Sequence, residues 1–149
     1  MLAKMMVAID KSVLEKIVSN CPQVPPETGG FLGMKDNVIV DFVFDSGHKQ
    51  NDFCSYSPDS RLLKHTCNTW ESQGIFFAGI AHSHMVGRGN LSNGDKKYIL
   101  QILESNIGKI DMLLFPIIIP GKELIMYSAR LFSDGLIISK EELMTKEED

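Results

Sequence analysis

The run IFFAGIA, residues 75 to 81, constrains the fold most, because it is apolar on both alternating faces. A strand of this kind is covered on both sides and lies in the middle of a sheet. Two histidines, His82 and His84, come directly after it. Side chains alternate along a strand, so these two project together while Ser83 projects to the opposite face. The pattern therefore predicts two imidazoles side by side at the carboxyl end of a central strand, where open α/β sheets usually bind ligands.

Helical and strand patterns alternate around this run. Strand patterns occur in residues 5–9, 28–34, 37–44, 112–119 and 123–132, and helical spacing occurs in residues 12–20, 59–72 and 95–105. This order predicts an α/β fold with a mixed β-sheet flanked by helices. The length of 149 residues is that of a single domain. We place this domain at residues 1–140 and expect the acidic residues 141–149 to be a frayed tail.

Charge and composition narrow the classes of function. The formal net charge is -4 and Lys and Arg form no cluster, which argues against a nucleic-acid partner. No apolar run approaches membrane-spanning length, and the first residues do not resemble a signal peptide. The cysteines Cys21, Cys54 and Cys67 form no CxxC pair, which favours reduced thiols in a cytoplasmic protein. We expect all three to be structural and Cys67 to be the most buried.

An aspartate extends the apolar face of the helix that follows the histidines. Asp95 lies three residues before the start of the apolar stripe, which consists of Tyr98, Ile99, Ile102 and Leu103. It therefore faces inward, and an inward carboxylate is costly unless it is paired or binds a metal. The glycine-rich loop MVGRGNLSNG can fold Asp95 back beside His82 and His84. Three such ligands leave the fourth tetrahedral position of a zinc ion for water, as in catalytic zinc sites.

A second interpretation of these residues stays open. Ser92 and Asp95 have the spacing of a capping box, in which their side chains bind the first turn of a helix. Buried histidines can be hydrogen-bonded core residues, and Glu27, after two prolines, can be a solvated side chain. His48 and His65 have no partner at ligand spacing, so we expect them in a loop and on a helix surface.

Taken together, the polar residues resemble the JAMM motif of the JAB/MPN metallopeptidases, the Mov34/MPN/PAD-1-like family. That motif is an upstream Glu followed by HxHPxxxxxxSxxD, and the segment ETGGFLG also matches. Met85 stands where the family usually has proline. The resemblance covers most of the chain, from about residue 27 to residue 103, and its five motif positions are occupied by Glu27, His82, His84, Ser92 and Asp95.

The resemblance implies a cytidine-deaminase-like α/β fold and a zinc-dependent peptidase or isopeptidase. Its substrates would be amide bonds at the diglycine-type C-terminal tails of ubiquitin-like or sulfur-carrier proteins. His82, His84 and Asp95 would bind zinc, Glu27 would be the general base and Ser92 would donate a hydrogen bond to the oxyanion. The short chain would be a compact, prokaryotic-type member.

Two other functions compete with this one. A catalytically silent MPN-type scaffold would bind partners, but such relatives usually lose ligands, and here the set is intact. A zinc deaminase would use the related fold, but the HxE and PCxxC elements of that chemistry are missing.

Overall fold

The structure, a computed structural model, describes residues 5–22, 27–47, 58–84 and 89–147. Across these residues one mixed sheet packs against three helices, so the predicted mixed α/β class is confirmed. No helix in these ranges is long and apolar enough to cross a bilayer. The helices are α1 (Lys11–Asn20), α2 (Ser60–Glu71) and α3 (Asn93–Ser105). The strands are β1 (Met6–Asp10), β2 (Gly29–Lys35), β3 (Val38–Asp45), β4 (Phe76–Ser83), β5 (Leu113–Leu114), β6 (Ile117–Ile119), β7 (Glu123–Ile125), β8 (Tyr127–Phe132), β9 (Gly135–Lys140) and β10 (Glu142–Lys146).

Strand β4 lies inside the sheet, as its apolar sequence predicts. The strand order is β10-β1-β3-β2-β4-β5-β8-β9, with β6 paired to β4 and β7 paired to β6. β4 is antiparallel to β2 and parallel to β5 and β6. Its backbone approaches β5 so closely that a Cβ atom on Gly79 would overlap the carbonyl oxygen of Leu114. Only glycine fits this position of the central strand.

A β-hairpin forms between β2 and β3, which pair in antiparallel fashion. Asp36 and Asn37 link the two strands, with φ angles of 52° and 63°. Two consecutive residues with positive φ are typical of the type I′ turn, whose twist matches that of the strands it joins. The hairpin brings the start of β2 beside the carboxyl end of β4.

The sheet separates two apolar clusters. Ala81 belongs to the cluster beneath α1, and Ile80 belongs to the cluster beneath α2 and α3. This alternation confirms the predicted facing of β4. The cluster beneath α2 and α3 also contains Trp70, Ile99 and Leu103, so both helices pack on the face that carries His82.

The two late strand predictions are each divided in the structure. Residues 112–119 form β5 and β6, separated at Phe115 and Pro116, and residues 123–132 form β7 and β8, separated at Met126. Pro116 has no N–H to donate to a neighbouring strand, which favours a break in pairing there. As a result β5 pairs with β8 while β6 pairs with β7, and the sheet forks beyond the middle of β4.

The expectation of a frayed tail after residue 140 is wrong. Residues Glu142–Lys146 form β10, which pairs in parallel with β1 from Met6 to Asp10. Strand β9 precedes it and was not predicted from the sequence. The charged residues of β10 are exposed at an edge of the sheet, where charge discourages further strand pairing. Their composition therefore resembled that of a tail, although the segment is a strand.

The cysteine prediction also needs correction. Cys21, at the end of α1, is the buried thiol, whereas Cys67 on α2 is only partly buried. Burial raises the pKa of both thiols. Cys54 lies outside the described residues. Cys67 shares the exposed side of an amphipathic helix, whereas Cys21 packs with the α1 cluster.

Glu141 joins the two ends of the strand order, because it stands between β9 and β10. It is 8% exposed, and its carboxylate accepts hydrogen bonds from Met5 N at 3.1 Å and Ser128 Oγ at 2.8 Å. Its own N–H donates to the carbonyl of Met126. The sheet therefore curls until its ends meet at this one buried carboxylate.

Replacing Glu141 with Ala should lower the free energy of unfolding by about 1–3 kcal/mol, because the buried Ser128 hydroxyl and the partly buried Met5 N–H lose their acceptor. Urea denaturation monitored by circular dichroism would measure the change. Glu142→Ala is the matched control, since Glu142 is exposed on the adjacent position. Its effect should stay within about 0.5 kcal/mol. Equal effects of the two substitutions would contradict the role of Glu141 in joining the two ends of the sheet.

Candidate metal centre

Two histidines stand where β4 ends. His82 pairs with Gly29 of β2 on one side and with Ile117 of β6 on the other, and His84 N donates to the carbonyl of Ile118. The backbone on both sides of β4 therefore fixes the two residues. His82 is 4% exposed and His84 is 8% exposed, so both side chains are buried.

Asp95 reaches the histidines from the first turn of α3. The predicted capping box is present: Asp95 N donates to Ser92 Oγ at 3.0 Å, and Ser92 N donates to Asp95 Oδ2 at 2.8 Å. The same carboxylate also lies beside both imidazoles. Capping and proximity to the histidines are thus not alternatives, because the cap orients the carboxylate toward the rings.

The three side chains form a triangle of ligand atoms. His82 Nε2 lies 2.8 Å from His84 Nε2 and 3.0 Å from Asp95 Oδ1, and His84 Nε2 lies 3.3 Å from Asp95 Oδ2. Among the described residues, these three form the group whose ligand atoms all lie within 4.8 Å of one another. The two histidine–aspartate distances end on different oxygens of the carboxylate. Ligand atoms spaced at about 3 Å can share one ion at zinc–ligand distances of about 2.0–2.2 Å.

The electrostatics of the triangle favour a cation. Burial lowers the pKa of His82, although Asp95 acts in the opposite direction. Burial alone would raise the pKa of Asp95, but hydrogen bonds from His82 and His84 outweigh it and hold that pKa well below its usual range. Two imidazole nitrogens and a carboxylate at such distances repel one another unless protons or a cation lie between them. A neutral histidine and an ionised aspartate are the forms that bind a metal, so the residues present fit zinc.

Phe115 is the site residue that the sequence patterns did not reveal. Its ring centroid lies 4.9 Å from that of His82 and 6.2 Å from that of Tyr98 on α3. Nδ1 of His82 is buried, and no described residue accepts a hydrogen bond from it. Metal-binding histidines usually donate this second N–H to an acceptor. Here the ring of Phe115, at the break between β5 and β6, packs against the imidazole instead.

Glu27 lies two residues before β2, which begins at Gly29. Gly29 pairs with His82, and Ser83 N donates to the carbonyl of Thr28 at 2.7 Å. Extending this register by one residue puts Glu27 opposite His84, on the face of the sheet that carries the histidines. Glu27 is not a member of the ligand-atom group described above. The backbone register therefore puts the Glu27 position opposite His84, and Glu27 is not one of the three corners.

The remaining predicted residues divide into three cases. Ser92 is exposed at the amino end of α3 and is joined to Asp95 by the capping box. His65 lies on the exposed side of α2, as expected. His48 and Met85 lie outside the described residues.

Comparisons with known proteins bear on the fold. No protein-family profile matches the sequence, and no curated protein matches it either. The structure is similar to the solution structure of a protein from Desulfitobacterium hafniense, with a TM-score of 0.66 and 21% identity over 97% of this chain and 94% of that one. It is also similar to a solution structure from Salinibacter ruber, with a TM-score of 0.55 and 15% identity over 93% and 91% of the two chains. At these identities the likeness shows a shared fold.

Proposed function

We propose that this chain is a zinc-dependent peptidase or isopeptidase of the JAB/MPN type. One observation carries the proposal: His82 and His84 at the end of β4 and Asp95 on α3 bring three ligand atoms within 4.8 Å of one another. Three protein ligands are the set that catalytic zinc sites use, whereas structural sites use four. The intact set also favours an enzyme over a silent scaffold of the same family.

The proposal assigns a separate task to each polar residue of the site. His82, His84 and Asp95 would hold zinc, and the ion, when bound, would lower the pKa of a water molecule and polarise a carbonyl group. Glu27 takes the proton from the attacking water and delivers it to the departing amine. The Ser92 hydroxyl accepts from Asp95 N, which leaves its own proton free to donate to the oxyanion.

The finer features of the fold belong to this proposal as well. A cytidine-deaminase-like arrangement is consistent with the mixed sheet, with helices on both of its faces and the ligands at the end of a central strand. The chain would be a compact member that works in the cytoplasm, where its thiols stay reduced.

The burial of the ligands supports the proposed substrate class. Both histidines are less than a tenth exposed, so a scissile bond can reach them only in a narrow, extended chain. Pairs of glycines are the thinnest such chain, and extended tails can add main-chain hydrogen bonds to a sheet edge. We therefore propose that the protein acts on the small-residue C-terminal tail of a ubiquitin-like or sulfur-carrier protein.

A panel of tails tests this function. The probe is a ubiquitin-like protein whose C-terminal Gly-Gly is joined by an amide bond to an aminocoumarin, compared with the same protein ending in Leu-Leu. Release of fluorescence should be roughly tenfold or more faster from the Gly-Gly tail, because a narrow site rejects added methylene groups.

The His84→Ala variant serves as the control for contaminating proteases. Equal cleavage of the two tails would contradict the substrate class while leaving hydrolysis intact. No cleavage of either tail by the zinc-loaded protein would contradict the proposed function.

A further inference from the structure

Ser83 is a buried polar residue between the two histidines, and the chemistry assigned above does not use it. It is 3% exposed and projects to the face of the sheet opposite His82 and His84, toward the α1 cluster. The preceding residue on that face is Ala81, a member of that cluster. A hydroxyl among apolar residues is costly unless it has a hydrogen-bond partner.

The partner of Ser83 is the backbone of Thr28. Thr28 N donates to Ser83 Oγ at 2.8 Å, and Ser83 N donates to Thr28 O at 2.7 Å. Thr28 itself is 5% exposed, so water has little access to this pair. Here the side chain of Ser83 accepts the bond from the Thr28 N–H. The two residues thus join the beginning of β2 to the end of β4 by two short bonds.

We propose that Ser83 is a positioning residue, which holds Glu27 in register with His82 and His84. Glu27 is bonded covalently to Thr28, and both hydrogen-bonding groups of the Thr28 main chain bind Ser83. Because Ser83 lies between the two ligands, one short segment of β4 sets both the metal ligands and the base. The inference rests on the proposed function, since it assigns Ser83 to the task of Glu27.

Loss of the hydroxyl should loosen Thr28 and misplace Glu27. In Ser83→Ala the Thr28 N–H has no acceptor, so its amide hydrogen should exchange about tenfold or more faster in the metal-free folded protein. The kcat for the Gly-Gly probe should fall by about tenfold or more, whereas KM and zinc content should change little.

Matched variants separate positioning from stability. Ser128→Ala also removes a buried hydroxyl with one hydrogen bond, but Ser128 lies on β8 and binds Glu141. It should leave kcat unchanged. Ser83→Thr retains the hydroxyl and should retain most of kcat. Ser83→Val should not, because valine has nearly the shape of threonine but no hydroxyl.

A double-mutant cycle with Glu27→Gln decides whether Ser83 acts through Glu27. If it does, Ser83→Ala should cause no further loss of kcat once Glu27 is replaced. Unchanged hydrogen exchange at the Thr28 amide would show that the Ser83 hydroxyl does not hold Thr28. The positioning role would be wrong if Ser83→Ala exchanged faster at Thr28 but kept its kcat, or if the Thr and Val variants had equal kcat. It would also be wrong if Ser83→Ala lowered kcat equally with Glu27 present and with Glu27 replaced by Gln. If the wild-type protein showed no hydrolysis, the proposed function would be wrong. The exchange experiment would still decide whether Ser83 holds Thr28.

Discussion

Replacing Glu27 with Gln should lower the rate of hydrolysis by about a hundredfold to ten-thousandfold, which is the usual contribution of a positioned general base. Gln has nearly the same shape as Glu but cannot accept the proton at neutral pH. Most of the loss should appear in kcat, since the base acts in the transition state. Zinc content and melting temperature should barely change, because Glu27 is not one of the three ligands.

Steady-state kinetics with the Gly-Gly probe, together with elemental analysis of the same sample, would measure both effects. Glu71→Gln is a suitable control, because Glu71 is an exposed carboxylate at the end of α2. Loss of zinc from the Glu27 variant would make Glu27 a ligand and contradict the division of tasks. Full activity of the variant would exclude Glu27 as the base.

Loss of a ligand should have an even larger effect. His84→Ala removes one corner of the triangle, so we expect the protein to lose most of its zinc and its hydrolysis to fall to background. His65→Ala is the matched control, because this exposed histidine on α2 is not a member of the ligand-atom group, and it should retain both. If His84→Ala kept its full zinc content, the site would be misassigned.

Asp95 needs two variants, because it both caps α3 and faces the histidines. Asp95→Asn can still accept the bond from Ser92 N, so the helix should keep its cap while zinc is lost. Ser92→Ala is the opposite case. It should cost about 1 kcal/mol through the weakened cap while zinc is retained. Loss of zinc from the Ser92 variant alone would contradict these roles.

The parts of the site that could be predicted depend on local periodicity. Alternation along β4 places His82 and His84 on one face, and helical spacing places Asp95 on the inner face of α3. Both patterns persist in the folded chain because each is also the pattern of burial. The hairpin was predictable for the same reason, since the turn residues Asp36 and Asn37 and the strand patterns on either side of them indicate the same structure.

The parts that could not be predicted depend on contacts between distant residues. The fork in the sheet places Phe115 against His82, and no local pattern links the two residues. β10 is a strand because it pairs with β1, which is far away in sequence. Its charged sequence alone therefore resembled a tail. The capping box of Ser92 and Asp95 seemed to compete with metal binding, but the packing of α3 lets one carboxylate serve both.

The most direct test of zinc-dependent hydrolysis is a zinc titration of metal-free protein with cleavage of the Gly-Gly probe as the readout. Protein stripped with a chelator and shown to be folded by circular dichroism should be inactive. Hydrolysis should then rise with added zinc and level off at about one zinc per chain, since the part of the chain that the structure describes holds one three-ligand group. Hydrolysis that persists without metal, or a folded protein that binds no zinc, would contradict the account.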